Sequence, residues 1–343
     1  MILEVLPRVS WLGKLMAALC LATNLHASEA SAEEAQPAAG GQATAGSAIL
    51  SVVFDDPQQL FAAFPDGVSR EEMQKTSDLH DKHVATGTGG SAKLEIGGGD
   101  WVEGSGEAPK AFVLLVNPDE GVKAALRING NKSVPGTSGV ARIIPDAAET
   151  SMAAISTFKD GKIFLNGGID IFFRYSEEPP PVDLAPFLFS SQGPGLHFGI
   201  HAHEQSFAAF LNDSEGTQIF DKDLDGTPDA ERVDTEKTNN AQLDPEKFQH
   251  LAVWFQTADD GTVTMKVFFK AGTGAINTAE DTDLVSATSF RIITDNPAKL
   301  LEHGSLAVAA NSRANPDTIH NDVAAFRLFA PTPTVFPSLG GEQ

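Results

Sequence analysis

Nine consecutive residues, Asp221-Lys222-Asp223-Leu224-Asp225-Gly226-Thr227-Pro228-Asp229, place four carboxylates on one short segment. A hard cation such as calcium takes several oxygens at once. It therefore selects loops that offer carboxylates at alternate positions, turn sharply on a glycine and add a backbone carbonyl. Asp221, Asp223, Asp225 and Asp229 fill positions 1, 3, 5 and 9 of such a loop, Gly226 falls at 6 and the carbonyl of Thr227 at 7. The expected chemistry is calcium coordination by Asp221, Asp223, Asp225, Thr227 and Asp229. Without an ion the four carboxylates repel one another, and the alternative reading is a solvated acidic turn.

The segment departs from the EF-hand pattern at position 12, where Arg232 replaces the bidentate glutamate, and Pro228 disfavours a following helix. Glu231 comes one residue too early. The spacing resembles more closely the "DxDGDGxPD" calcium loops of thrombospondin type 3 and related bacterial repeats. Its flanks carry no base, nucleophile or open-site signature, so the ion is expected to be structural or ligand-bridging.

Other constellations are weaker. His197, His201 and His203 share one parity, so on an uninterrupted strand they face one side and could bind a transition metal. No glutamate follows at the spacing of the cupin metal motif, and hydrogen-bonded or solvent-facing strand histidines are the favoured reading. A retaining glycosidase needs two carboxylates roughly 5 Å apart. Glu231-Arg232-Val233-Asp234-Thr235-Glu236 has the wrong spacing for a pair on one strand and is expected to be loop. The chain holds no Gly-x-Ser-x-Gly, phosphate loop or His-Glu-x-x-His. Trp101 and Trp254 could stack on sugar rings, but a partly buried core role is favoured for both.

These residues sit in a chain of 343 residues with 24 Lys plus Arg against 46 Asp plus Glu, a formal charge of -22. Such a polyanion repels nucleic acid, which excludes a general nucleic-acid binder. A composition of 41% apolar residues with 22 Phe builds a core, and 31 Gly, 20 Pro and only 20% charged residues point to a loop-rich β protein.

The amino terminus reads as an export signal. Arg8 and Lys14 precede a short apolar run from Leu15 to Leu25, and Ala30-Ser31-Ala32 offers small residues for cleavage after Ala32, with Ala27 as an alternative. The run is too short for a membrane span, which needs about 20 apolar residues. The single cysteine, Cys20, lies inside it, so an exported mature chain has no disulfide and must be held by its core and any bound metal. Residues 1–32 are thus expected to be a signal peptide and 33–47 a linker, because Glu33 to Gly46 contains no aromatic or β-branched apolar residue. The acidity belongs to the mature part, since residues 1–32 carry two acidic and two basic side chains.

Residues 48–149 form a β-rich region of open independence, with weak helix signals at 57–64 and 69–82. Strand-like runs at Lys93–Ile96, Ala111–Val116 and Ala124–Ile128 are punctuated by Asn117-Pro118, Asn129-Gly130 and Pro135-Gly136. Residues 150–331 continue the pattern. Ile169, Ile171, Phe173 and Tyr175 keep a period of two, as do Leu251, Val253 and Phe255, and then Val263, Met265, Val267 and Phe269. Asp160-Gly161 and Asp260-Gly261 mark hairpin turns. Short alternating runs at this spacing predict that residues 150–331 form an all-β, antiparallel jelly-roll sandwich, preceded by the smaller β-rich region and followed by 332–343 as a tail.

Phe248-Gln249-His250-Leu251-Ala252-Val253-Trp254-Phe255, followed by Asp260-Gly261-Thr262-Val263 and Phe268-Phe269, resembles the "WHHVAVTYD…GTVKLYVDG" hairpin of laminin G-like, concanavalin A-like domains. Gly304 to Ala310 and Asn321 to Phe329 resemble that family's closing strands, "LRIGA…GLIDEVRIY". Phe248 stands where the family has Trp, and Asn321-Asp322-Val323-Ala324 is a worn closing motif. The resemblance implies an exported binding or adhesion module, with calcium-supported recognition of carbohydrate or extracellular matrix as the expected role. A polysaccharide-acting glycosidase or lyase on the same fold, or a structural envelope protein, is the alternative, and no residue set marks a catalysed reaction.

Overall fold

The period-two rows become the inner faces of two sheets. The computed structural model describes residues 48–53, 83–87, 90–98, 112–128, 139–145, 147–175, 187–192, 195–203, 206–213, 215, 217–229, 233–234, 243–244, 246–302, 304–308 and 321–340. The proposed signal peptide, the linker, both helix signals, Trp101, Asn129-Gly130 and Pro135-Gly136 lie outside these residues.

In chain order the strands begin with β1 (Ala48–Val53), β2 (His83–Gly87), β3 (Gly90–Gly98), β4 (Phe112–Asp119), β5 (Val122–Ile128) and β6 (Gly139–Pro145). They continue with β7 (Ser156–Lys159), β8 (Lys162–Leu165), β9 (Gly167–Tyr175), β10 (Phe187–Gln192), β11 (His197–His203), β12 (Ser206–Asn212), β13 (Phe220–Asp221) and β14 (Val233–Asp234). The last are β15 (Gln249–Thr257), β16 (Val263–Ala271), β17 (Ile276–Asn277), β18 (Leu284–Ile292), β19 (Ser305–Val308), β20 (Asn321–Phe329) and β21 (Val335–Phe336).

A nine-stranded sheet runs β13-β18-β16-β15-β9-β20-β5-β4, with β1 also on β20, and an eight-stranded sheet runs β14-β12-β11-β10-β19-β6-β3-β2. Every pairing between named strands is antiparallel. Strands from residues 48–145 and from 156–329 contribute to both sheets. The fold is an all-β antiparallel jelly-roll sandwich.

The core between the sheets follows from alternation. Ile169, Ile171 and Phe173 of β9, Leu251, Val253 and Phe255 of β15, and Val263, Met265 and Val267 of β16 join Phe198, Phe207 and Leu306 of the other sheet in one buried cluster. Two aromatic pairs close the layer, with ring centroids 5.1 Å apart for Phe198 and Phe255 and 5.4 Å for Phe207 and Phe269. Removing this much apolar surface from water is the main favourable term in folding.

The turns confirm the hairpin reading at two places and move it at a third. Asp160 and Gly161 both take positive φ, 52° and 77°, as a two-residue β7–β8 hairpin requires. At the β15–β16 hairpin, Gly261 N–H donates to Ala258 O at 2.9 Å and Gly261 has φ 87°, a type I turn closed by a left-handed glycine. Asn117-Pro118, expected as a turn, lies inside β4: Asn117 takes φ 49° where the pairing with β5 shifts register, and the chain reverses at Glu120-Gly121. A left-handed Asn absorbs one extra residue as a bulge without ending the strand.

The outer face of the large sheet is also covered. Phe336 of β21 packs with Ala48, Ala252, Phe268, Ile276 and Phe329, with Trp254 partly buried against them. The segment 331–339 is therefore a strap across the sheet, held by β21 pairing with β17.

Candidate metal centre

The Asp221–Asp229 segment leaves the edge of the large sheet. β13 pairs Phe220 with Ile292 and Asp221 with Arg291, so the first carboxylate of the loop is fixed to a strand. Phe220 is fully buried against Phe290 at a centroid distance of 6.2 Å, which anchors the entry. The loop closes where Asp229 N–H donates to Phe220 O at 2.8 Å.

Within that ring the side chains turn inward. Asp221 is 1% exposed, and its two oxygens accept from the backbone N–H groups of Asp225 at 3.2 Å and Gly226 at 3.0 Å. Asp223 accepts from Asp225 N–H at 3.2 Å, and Asp225 accepts from the Thr227 N–H at 2.8 Å and hydroxyl at 2.6 Å. Leu224 at φ 62° and Gly226 at φ 92° supply the two left-handed positions that let the chain coil so tightly.

Oxygens of Asp221, Asp223 and Asp225 all lie within 4.8 Å of one another, the one group of three or more His, Cys, Asp or Glu side chains so placed among the described residues. Asp229 is turned to a different task, its Oδ2 accepting from Lys222 N–H at 2.5 Å. Thr227 contributes its hydroxyl and N–H to Asp225. The ordering of the loop is thus carried by carboxylates accepting backbone N–H groups, and each such oxygen keeps a lone pair for an ion.

The electrostatics carry the mark of crowding. The Asp225 N–H draws the Asp223 carboxyl down, but desolvation, the Asp225 charge, a hydrogen bond with Asp221 and the Asp229 charge outweigh it, and its pKa lies above the ordinary value. The Thr227 hydroxyl, then its N–H, holds the Asp225 carboxyl below the ordinary value. Both side chains stand in water, where such a split makes neither a better acid nor a better base than a surface carboxylate.

Two charge clusters, one buried and one partly buried, went unseen in the sequence. On the outer face of the large sheet Asp170 is bound by Arg327 through Nε at 2.9 Å and Nη2 at 2.5 Å, and by His250 Nε2 at 3.0 Å. Nearby, Asp322 holds Arg127 at 2.7 Å and Arg174 at 2.8 Å. The signal that could have found them is a charged residue between buried apolar neighbours: Asp170 between Ile169 and Ile171, Arg327 between Phe326 and Leu328. An Asp–His pair invites a catalytic reading, but Asp170 and His250 are both 0% exposed and the second His250 nitrogen is taken by Gly274 O at 2.8 Å. No substrate reaches it.

The remaining candidates separate. His197, His201 and His203 stand on β11 opposite Asn212, Ala208 and Ser206. Val233-Asp234, expected as loop, forms β14 on β12 opposite Ala209 and Ala208. The edge of β12 offers backbone groups for pairing, and Val233 and Asp234 take up two of its positions. Trp254 is partly buried, with Lys266 Nζ 5.6 Å from its ring centroid, in keeping with its packing role.

No known protein family matches the chain, and no curated protein matches it. Among solved structures, it is similar to a botulinum neurotoxin serotype D/C VPI 5993 binding domain at 11% identity and a TM-score of 0.41, covering 72% of this chain and 46% of that one. It is also similar to HCR/D-Sa-GBL1/C, at 13% identity and a TM-score of 0.40, over 74% of this chain and 47% of that one. The botulinum neurotoxin type G receptor binding domain gives 9% identity and a TM-score of 0.37, over 72% and 45%. The chain spans about half the length of the structures it matches, and no family membership follows from them.

Proposed function

We propose that the chain is an exported binding module, laminin G-like in kind, in which calcium held by the Asp221–Asp229 loop supports recognition of a carbohydrate or extracellular matrix ligand. The observation that carries this reading is the convergence of the Asp221, Asp223 and Asp225 carboxylates at a strand-anchored, solvent-facing loop. Asp221, Asp223 and Asp225 supply carboxylate oxygens, Thr227 its carbonyl, and Asp229 either a further oxygen or the loop closure it already makes. An ion there neutralises crowded charge on an acidic protein and leaves open positions for ligand hydroxyls. A binding role also fits the burial of the Asp170–His250 pair, which leaves it no access to substrate.

Two measurements test the reading. Isothermal calorimetry with calcium chloride is expected to show one site, absent in the Asp223→Ala plus Asp225→Ala variant. A glycan array run with calcium and with chelator is expected to show calcium-dependent signal. No heat of binding overturns the calcium assignment, and equal array signal with and without calcium overturns its role in recognition.

A further inference from the structure

His250 is enclosed by acceptors. Its Nδ1 lies 2.8 Å from Gly274 O and its Nε2 lies 3.0 Å from Asp170 Oδ2, with no exposure to solvent. A carbonyl oxygen can only accept, and so can an ionised carboxylate. Burial pushes the Asp170 carboxyl up, but the Arg327 charge and the hydrogen bonds from His250 and Arg327 hold it below the ordinary value, so it is ionised. Both ring nitrogens must then donate. The ring also stacks on Phe172 at 4.0 Å, and the Arg327 guanidinium lies 4.9 Å from the centroid of the same phenyl ring, a setting that favours cations.

We propose that His250 is a buried imidazolium whose proton fastens the C-terminal strap, residues 331–339, to the outer face of the large sheet. Two chains of contacts run from it to the strap. Gly274 belongs to the turn in which Thr273 O accepts the Leu339 N–H at 3.0 Å. Through Asp170 it also sets Arg327, whose Nη1 and Nη2 donate to Ser338 O and Pro337 O. Loss of the proton leaves a lone pair against Gly274 O or against Asp170, with no water to relieve it, and weakens both chains.

The other charges around the ring do not replace this role. From β9 the ring meets Asp170, and from β20 Arg327 reaches it only through Asp170 and Phe172. From β16 Lys270 is its cross-strand neighbour and is paired with Asp283 at 2.8 Å. Residues 331–340 carry no titratable side chain, so the strap itself cannot sense pH.

Nitrogen-15 NMR of the full chain, with the His250 ring resonances assigned by through-bond correlation to the His250 backbone, reads the ring directly. Both nitrogens are expected to be protonated at neutral pH. Hydrogen exchange of the Leu339 and Thr278 amides, which donate to Thr273 O and Thr334 O, reads the strap. Their protection factors are expected to fall roughly tenfold in His250→Gln, the equivalent of one charge-assisted hydrogen bond, and to stay unchanged in Lys270→Met. A singly protonated His250 ring at neutral pH, or unchanged protection of both amides in His250→Gln, overturns the proposal, and the first needs no variant to fold.

Discussion

Arg327 and Asp170 stand directly opposite each other on β20 and β9 and close a two-pronged ion pair, Nε to Oδ1 at 2.9 Å and Nη2 to Oδ2 at 2.5 Å. The pair sits between a sheet and a strap, with Asp170 fully buried and Arg327 4% exposed. A buried ion pair is weak evidence of stability in itself, because desolvation offsets much of its attraction. Its effect on register is firmer. A one-residue slip of β20 on β9 would turn Arg327 into the core between the sheets, so the pair fixes the alignment of the two strands at the centre of the large sheet.

Asp170→Asn is therefore expected to destabilise the protein by about 3–5 kcal/mol, because it leaves Arg327 and His250 facing an uncharged amide in a dry site. The Asp170 pKa is lowered on folding, so its contribution is present above the unfolded value of about 3.9 and is lost as pH falls through the folded value. Urea unfolding of the two proteins is expected to differ at pH 6 and to converge in strong acid. A difference below about 1 kcal/mol at pH 6 would show that the pair sets register without supporting stability.

Phe255→Ala tests the layer between the sheets. Phe255 is fully buried, and its ring meets Phe198 of the other sheet edge to face. Truncation is expected to cost about 3–5 kcal/mol, from lost transfer free energy and from a cavity that two sheets cannot close up. Denaturant midpoints with unchanged far-ultraviolet circular dichroism would record it.

Gly195→Ala tests a close approach. Gly195 has φ +95°, and a Cβ there would lie 2.0 Å from the backbone oxygen of Glu302. Neither the left-handed backbone nor the carbonyl can yield cheaply, so a loss of about 2 kcal/mol or more is expected. A thermal midpoint within a degree of the wild type would show that the 300–302 turn moves freely.

The interior was legible in the sequence because burial on one side imposes period two. Ile169, Ile171 and Phe173 announce the side of β9 that meets the other sheet. The outer face was not legible for the same reason: Asp170, His250 and Arg327 occupy the alternate positions, where a polar residue ordinarily means solvent. The strap, whose Phe336 and carbonyls come from the segment read as a tail, and the Gly274 turn cover them. The Arg127–Asp322 pair spans 195 residues, a separation no local pattern can bridge. The acidic loop was legible because all its parts lie within nine residues. The inward turn of Asp221 and the different engagement of Asp229 were not, since both depend on the pairing of β13 with β18.

Calcium is expected to stabilise the domain without taking part in chemistry. The folded loop brings three carboxylates within 4.8 Å, an arrangement the unfolded chain does not hold, so an ion bound there would favour the folded state. By linkage, calcium at about a hundred times Kd should raise stability by ~2.7 kcal/mol. The hydrogen bonds that order the loop come from its own N–H groups, so it stays coiled without the ion. The gain should therefore appear as a shifted thermal midpoint with little change in secondary structure. Scanning calorimetry with calcium and with chelator, on the wild type and on Asp223→Ala plus Asp225→Ala, separates the outcomes. A shift in the wild type that vanishes in the double variant supports coordination by this loop. A shift that survives the double substitution places the ion elsewhere. Equal midpoints for the wild type in both conditions leave the loop a solvated acidic turn, closed by Asp229 and anchored by Phe220.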